Sequence, residues 1–204
     1  MFRQHRKPLA LAAGLAATAL AALAATALAV PAAEAGTSSS PYRPVPLAPP
    51  ADHQLVATYL VGQGTQVYEC LPDAATGGST WRGRPVAVLV TADPRRAAAG
   101  THDSISNQGT PAVPQWNLYA DGSRVVGRLA TGGSFPAPDP TKAIAALRLD
   151  VVQNSGIGIL ADVDTIQRDL VRGGVGPSGA CDPATDQAVV SPYSARYTFW
   201  ARTS

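Results

Sequence analysis

The stretch Gln115–Leu129, QWNLYADGSRVVGRL, indicates the fold class of this chain. Asp121-Gly122 separates two short runs rich in aromatic and β-branched residues, Gln115–Tyr119 and Ser123–Leu129. An Asp-Gly pair between two such runs is the strongest short-range signal of a β-hairpin, because a tight turn needs positive φ. This stretch therefore predicts two antiparallel strands.

Similar runs occur on both sides of this hairpin. The predicted strands are Gln54–Val61, Thr65–Cys70, Val86–Thr91, Gln115–Tyr119, Ser123–Leu129, Leu147–Val152, Ile157–Gln167 and Tyr193–Ala201. Gly62-Gln63-Gly64 indicates a hairpin or a bulged strand, and Val86–Thr91 is typical of a strand buried on both faces. Asp139-Pro140 is expected to cap a single helical turn. The chain is therefore predicted to be all-β, either an antiparallel β-sandwich or a small β-barrel of about eight strands.

The first 35 residues have the features of an export signal. A basic segment, Met1–Pro8, precedes an Ala/Leu-rich run, Leu9–Val30, and the small-x-small pattern Ala33-Glu34-Ala35. We expect cleavage after Ala35 and a secreted protein, extracellular or in the cell envelope. The alternative is a retained transmembrane anchor, since about 20 apolar residues span a bilayer.

The remaining chain is predicted to comprise a mobile Ser/Pro-rich spacer, residues 36–51, and a single β-domain, residues 52–204. The leader holds three of the sixteen Lys and Arg residues and one of the fourteen Asp and Glu residues, so 13 of each sign remain. A neutral chain without a basic run has little attraction for nucleic acid or anionic membrane. We therefore expect neither partner after signal cleavage.

Cys70 and Cys181 are the only cysteines. In an exported protein such a pair is most simply a disulfide; two free thiols, a metal pair and an intermolecular bridge are the alternatives. After cleavage only His53 and His102 remain as histidines, too few for a His-rich metal centre. No cofactor is expected.

A series of small motifs runs through the domain. These are Gly64-x-Gln66-x-Tyr68-x-Cys70, Gly100-x-His102, Trp116 with Asp121-Gly122-Ser123, Gly156-x-Gly158, Ile166-Gln167-Arg168, Gly173-Gly174, Cys181 and Tyr193-Ser194-Ala195-x-Tyr197-x-Phe199. Their order resembles the exported bacterial and fungal family catalogued as domain of unknown function 3455. The resemblance implies export and a shared topology but no activity. The chain departs from the family pattern near residues 145–149 and between His102 and Trp116.

Two residues are candidates for catalysis, although no catalytic motif is present. His102-Asp103-Ser104 contains the residue types of a triad, but adjacent strand residues face opposite sides, and a triad is assembled from separate segments. His102 alone is a candidate acid/base or ligand contact; the alternative is a loop histidine bonded to backbone. Asp121 is the second candidate, beside its expected role in the turn.

Other side chains are candidates for binding. Trp116 and Tyr68 could contact a ligand, although strand aromatics most often belong to the core. Asp162 and Asp164 lie two apart in a predicted strand, so their carboxylates would share one face and could hold Ca²⁺; a solvated face is the alternative.

Arg168, in Ile166-Gln167-Arg168, lies near the end of a predicted strand. We expect it to form an ordinary ion pair with Asp150, Asp162 or Asp169, or else to bind an anion.

The sequence leaves two classes of function open. We favour a disulfide-stapled module that binds a small molecule, a glycan or an envelope protein, or that is structural. The alternative is a secreted hydrolase or isomerase with a pocket around His102, Trp116 and a strand aspartate.

Overall fold

The computed structural model describes residues 42–105 and 112–203. Its strands are β1 (His53–Asp73), β2 (Gly78–Thr91), β3 (Ala98–Ile105), β4 (Val113–Leu118), β5 (Arg124–Phe135), β6 (Ala146–Ser155), β7 (Thr165–Gly173) and β8 (Val189–Arg202). Each strand pairs antiparallel with the next, and β8 pairs with β1, so the sheet closes into a barrel. The predicted all-β class is confirmed, and of the two predicted architectures the barrel is observed. The predicted signal peptide, 1–35, lies outside the described residues.

An eight-stranded barrel has an interior just wide enough for its side chains or for one small ligand. One end, here called the closed end, carries the β2–β3, β4–β5 and β6–β7 connections. Leu160 and Val163 of the β6–β7 connection are fully buried there, against a core that includes Leu89, Val125 and Phe199. The opposite end, here called the open end, carries the described connections β1–β2, β5–β6 and β7–β8.

The first three strands differ from the predicted strands in three respects. The first two predicted strands form one continuous strand, β1, with a bulge between Val61 and Gln63, so the bulged-strand alternative is confirmed. Val86–Thr91 is not buried on both faces, because a barrel wall is a single layer and its outer face meets solvent; Val86 is 45% exposed. β3 was not predicted at all.

The segment 157–164 is a loop, although it was predicted as strand. Glycines at positive φ, Gly156 and Gly158, turn the chain out of the sheet. The Asn154 side chain then lies within hydrogen-bond distance of the Leu160 and Val163 carbonyls, which replaces ladder pairing. Asp139 likewise caps a turn through Thr141 rather than a helix.

Residues 42–51, here called the N-terminal strap, lie against the outside of β6 and β7. Leu47 N–H donates to Asp169 at 2.8 Å, and Gln167 donates to the Ala48 carbonyl at 2.8 Å. The Tyr42 hydroxyl donates to the Val171 carbonyl at 3.1 Å. The spacer was predicted to be mobile, but these contacts hold its second half on the barrel.

The predicted disulfide is confirmed. Cys70 near the end of β1 is bonded to Cys181 in the β7–β8 connection, 111 residues later. The bond ties that connection to the open end of the barrel. No helix among residues 42–105 and 112–203 is long and apolar enough to cross a membrane.

Candidate functional site

A cavity of about 400 Å³ occupies the half of the barrel towards the open end. Its walls come from alternate residues of the strands, which is the pattern of inward-facing positions. Those that matter below are Gln66, Tyr68, His102, Ser104, Trp116, Leu147, Leu149, Arg168 and Tyr197. The cavity is therefore the part of the interior that the core does not fill.

An aromatic cluster forms the inner end of the cavity. The His102 imidazole stacks on the Trp116 indole with ring centroids 4.4 Å apart and an angle of 7° between the planes. Tyr197 meets both rings edge-on, at 4.8 Å from His102 and 5.5 Å from Trp116. This arrangement uses the geometries that aromatic rings prefer, so the inner wall is rigid as well as apolar.

His102 is held as a neutral imidazole. Its side chain is inside the barrel, only 2% exposed, and Nδ1 lies 2.9 Å from the Gln115 carbonyl oxygen. Because a carbonyl only accepts, Nδ1 carries the hydrogen and Nε2 is the unprotonated nitrogen. Burial lowers the pKa of His102 to about 3, a shift that the Gln115 bond opposes and the Arg168 charge adds to. The ring is thus uncharged at neutral pH.

Arg168 supplies the positive charge of the cavity. It projects inward from β7, and one terminal nitrogen donates to the Ala145 carbonyl at 2.8 Å. None of the ion pairs among the described residues involves Arg168, and no described Asp or Glu lines the cavity. The expected pairing with Asp150, Asp162 or Asp169 is not formed, since Asp169 faces outward and binds Arg196 instead.

Several polar atoms around the cavity lack hydrogen-bond partners within the described part of the chain. They are Gln66 Nε2, Trp116 Nε1 and Arg168 Nε. Buried polar groups in folded proteins are nearly always paired, so a cluster of exceptions beside a cavity needs a reason. All three are nitrogen donors, so the lining of the cavity is rich in donors.

Tyr68 stands at the mouth of the cavity. Its hydroxyl donates to the Gly174 carbonyl, which ties β1 to the β7–β8 connection. Glycines flank its ring: a Cβ at Gly83 would lie 2.6 Å from the ring, and one at Gly176 would also collide. The disulfide joins the same strand to the same connection, so the mouth is held at two points.

The remaining sequence candidates lie away from this cavity. Asp121 is at the closed end, where it accepts hydrogen bonds from Ser123 and from Ile159 N–H at 2.7 Å. These bonds lower the pKa of Asp121, the Ile159 N–H having the largest effect. Its observed contacts are those of a turn-forming residue.

Asp162 and Asp164 belong to the loop before β7, not to a strand, so the geometry that suggested a shared cation is absent. Asp164 instead lies 2.9 Å from His53 Nε2 and 3.8 Å from Arg202 Nε. Asp162 is exposed. In the described residues no group of three or more His, Cys, Asp or Glu side chains could hold a metal ion.

Comparison with known proteins identifies the family. The family described as "Protein of unknown function (DUF3455)" matches residues 50–201. The chain belongs to this family. The match to DUF3455 includes residues of all eight strands and both cysteines, which confirms the resemblance read from the motifs. No curated protein and no solved structure matches the chain significantly.

The structure brings together three of the sequence candidates, His102, Trp116 and Tyr68, and adds residues that the sequence did not assign to a site. Arg168 was treated mainly as a partner in an ion pair, and Gln66 and Tyr197 only as family motif positions. One observation places Arg168 inside the barrel. It lies two residues after Ile166 in the same strand, so the two side chains share a face, and Ile166 is fully buried.

Proposed function

We propose that this DUF3455 protein is an exported small-ligand-binding module, with the cavity at the open end of the barrel as its binding site. The observation that carries the proposal is the cavity itself, together with the unpaired polar atoms of Gln66, Trp116 and Arg168 beside it. Ligand pockets are typically a few hundred Å³ in volume, mostly apolar, with a few polar groups that fix orientation. This cavity has that composition.

Binding is better supported than the alternative, a hydrolase or isomerase built on His102. The pKa of about 3 makes the imidazole a weak base, far from the value near 7 that suits general acid/base catalysis. A carbonyl, not a carboxylate, orients its Nδ1. Asp121, the other catalytic candidate, lies at the opposite end of the barrel.

The exported location is part of the proposal. A disulfide is characteristic of proteins in oxidising compartments, which agrees with the leader sequence and its expected cleavage after Ala35. The ligand would then be met outside the cytosol, and a small molecule suits a cavity of about 400 Å³ better than a long glycan or an envelope protein.

The proposal is tested by filling the cavity. Ser104 lines it, so Ser104→Phe places a ring inside, whereas Thr101→Phe on the same strand places one on the outer side. Thermal-shift screening of the mature protein against sugars, short-chain and aromatic acids, alcohols, amides and metal salts should give at least one hit. We expect Ser104→Phe to abolish that shift and Thr101→Phe to retain it.

Two results would contradict binding in this cavity. One is a complete screen without any shift in the unfolding temperature. The other is a hit whose shift is equal in wild type and in folded Ser104→Phe protein, because such a ligand would bind elsewhere.

A further inference from the structure

The positive charge of Arg168 indicates which class of small molecule the cavity binds. Resting on the proposed function, we infer that the ligand is a small organic carboxylate with an apolar body, and that Arg168 is the residue that binds its carboxylate group. No finding above assigns a ligand class to this site. The inference rests on the unbalanced guanidinium, the donors beside it and the apolar walls around it.

The first observation is an uncompensated positive charge. An arginine stays protonated even when partly buried, and a buried charge is normally paired because removing it from water is costly. The described partners of Arg168, the Ala145 carbonyl and the Tyr197 hydroxyl, are both neutral, and Nε has none. The internal segment outside the described residues, 106–111, contains no Asp or Glu in its sequence. A ligand anion would supply the missing counter-charge.

The charge of this guanidinium acts on cavity side chains of three other strands. After burial, which raises the pKa of the Tyr68 and Tyr197 hydroxyls, the Arg168 charge is the main influence that lowers them. The same charge adds to the lowering of the His102 pKa. Arg168 and these three residues line the same cavity, so a ligand carboxylate bound there would also lie in the field of the guanidinium.

The neighbouring groups suit an anion with a hydrophobic tail. Trp116 Nε1 and Gln66 Nε2 are donors without described partners, and a carboxylate offers four acceptor sites. Guanidinium and carboxylate match in shape and form paired hydrogen bonds. Ile144, Leu147 and Leu149 add apolar surface to the lining. An inorganic anion would leave that surface uncovered.

The test compares two probes of one shape. Isothermal titration calorimetry is carried out on the mature protein with 3-phenylpropanoate and with its neutral amide, and with hexanoate and hexanamide as a non-aromatic pair. Arg168→Gln removes the charge, and Arg128→Gln, an exposed arginine on β5, is the matched control. Inorganic phosphate tests whether charge alone is enough.

We expect at least one carboxylate to bind wild type about 30-fold or more tightly than its amide, the lower range for losing one partner of a buried charge pair. Arg168→Gln should remove that preference, and Arg128→Gln should keep it. Phosphate should bind more weakly than the acid. Comparison of acid with amide on wild type does not depend on any variant folding.

Other outcomes overturn the inference in distinguishable ways. Equal or tighter binding of an amide contradicts the carboxylate class but leaves small-ligand binding intact. A preference for acid that persists in folded Arg168→Gln protein contradicts the role of Arg168. Absence of binding by both acids, when a neutral compound from the thermal-shift screen binds in the cavity, also overturns it. Failure of every compound in that screen would instead overturn the proposed function.

Discussion

At the scale of single residues, His102 links burial to stability. The imidazole is fully enclosed, stacked on Trp116, and its pKa is lowered from the ordinary 6.5 to about 3. Between those values the unfolded chain binds a proton that the folded barrel does not. Stability therefore falls as the pH drops from about 6.5 towards 3, and this contribution is fully retained above 6.5.

Replacing His102 should make the free energy of unfolding less dependent on pH below about pH 6.5. Between pH 7 and pH 4.5 the His102 contribution to the free energy of unfolding falls by about 2–3 kcal/mol in wild type. In His102→Gln that loss should be absent, although the variant is less stable at pH 7 because it lacks the ring stack. Urea unfolding at several pH values measures both curves. Parallel curves for the two proteins would contradict a neutral, buried His102.

At the scale of elements, the N-terminal strap depends on a buried carboxylate. Asp169 is almost fully buried on the outer side of β7, bonded to Arg196 at 2.8 and 2.6 Å and to Leu47 N–H. The bonds to Asp169 raise the pKa of Arg196. One carboxylate thus joins β7, β8 and the strap.

Removing the cation from this junction should destabilise the protein. Arg196→Met leaves the Asp169 carboxylate buried with the Leu47 N–H as its described donor, and the expected cost is about 3 kcal/mol. Arg128→Met, on the exposed face of β5, should change stability by less than about 0.5 kcal/mol. Urea denaturation compares the two variants. Equal stabilities would show that the strap does not depend on this pair.

The strands also show which parts of the fold can be predicted from local sequence patterns. The β4–β5 hairpin was predictable because its Asp-Gly turn and its flanking runs are local signals. β3 was not, because Ala98–Ile105 is mostly small or polar, and its strand character comes from pairing with β2 and β4. Segment 157–164 was predicted as strand because its apolar residues resemble a strand pattern. They do not share one buried face, since Ile157 is 91% exposed while Leu160 is buried.

The candidate site was only partly predictable for a related reason. Trp116 and His102 were named because their residue types carry chemistry. Their stacking depends on the β3–β4 register, in which His102 lies opposite Trp116, and that register cannot be read without knowing that β3 exists. Arg168 enters the same space from the far side of the barrel, a long-range contact that only the closed topology creates.

At the scale of the whole molecule, the disulfide is the main covalent constraint. It closes a loop across most of the barrel, and a chain-entropy estimate for a loop of this length is about 4–5 kcal/mol. The double variant Cys70→Ala/Cys181→Ala should lose stability on that scale in urea denaturation. Mass spectrometry of unreduced wild type should show a two-proton deficit. Two free thiols, or a loss below about 1 kcal/mol, would contradict this role.

The central claim is that the interior of the barrel binds a small molecule beside the His102–Trp116 stack. The most direct measurement follows the three tryptophan indole N–H signals by NMR during titration with 3-phenylpropanoate and with the best compound of the thermal-shift screen, with Trp116 assigned through Trp116→Phe. The account predicts that the Trp116 signal shifts in a saturable manner, while the Trp200 signal, whose N–H is bonded to Thr198, stays in place. A saturable response that leaves the Trp116 signal unchanged would contradict it.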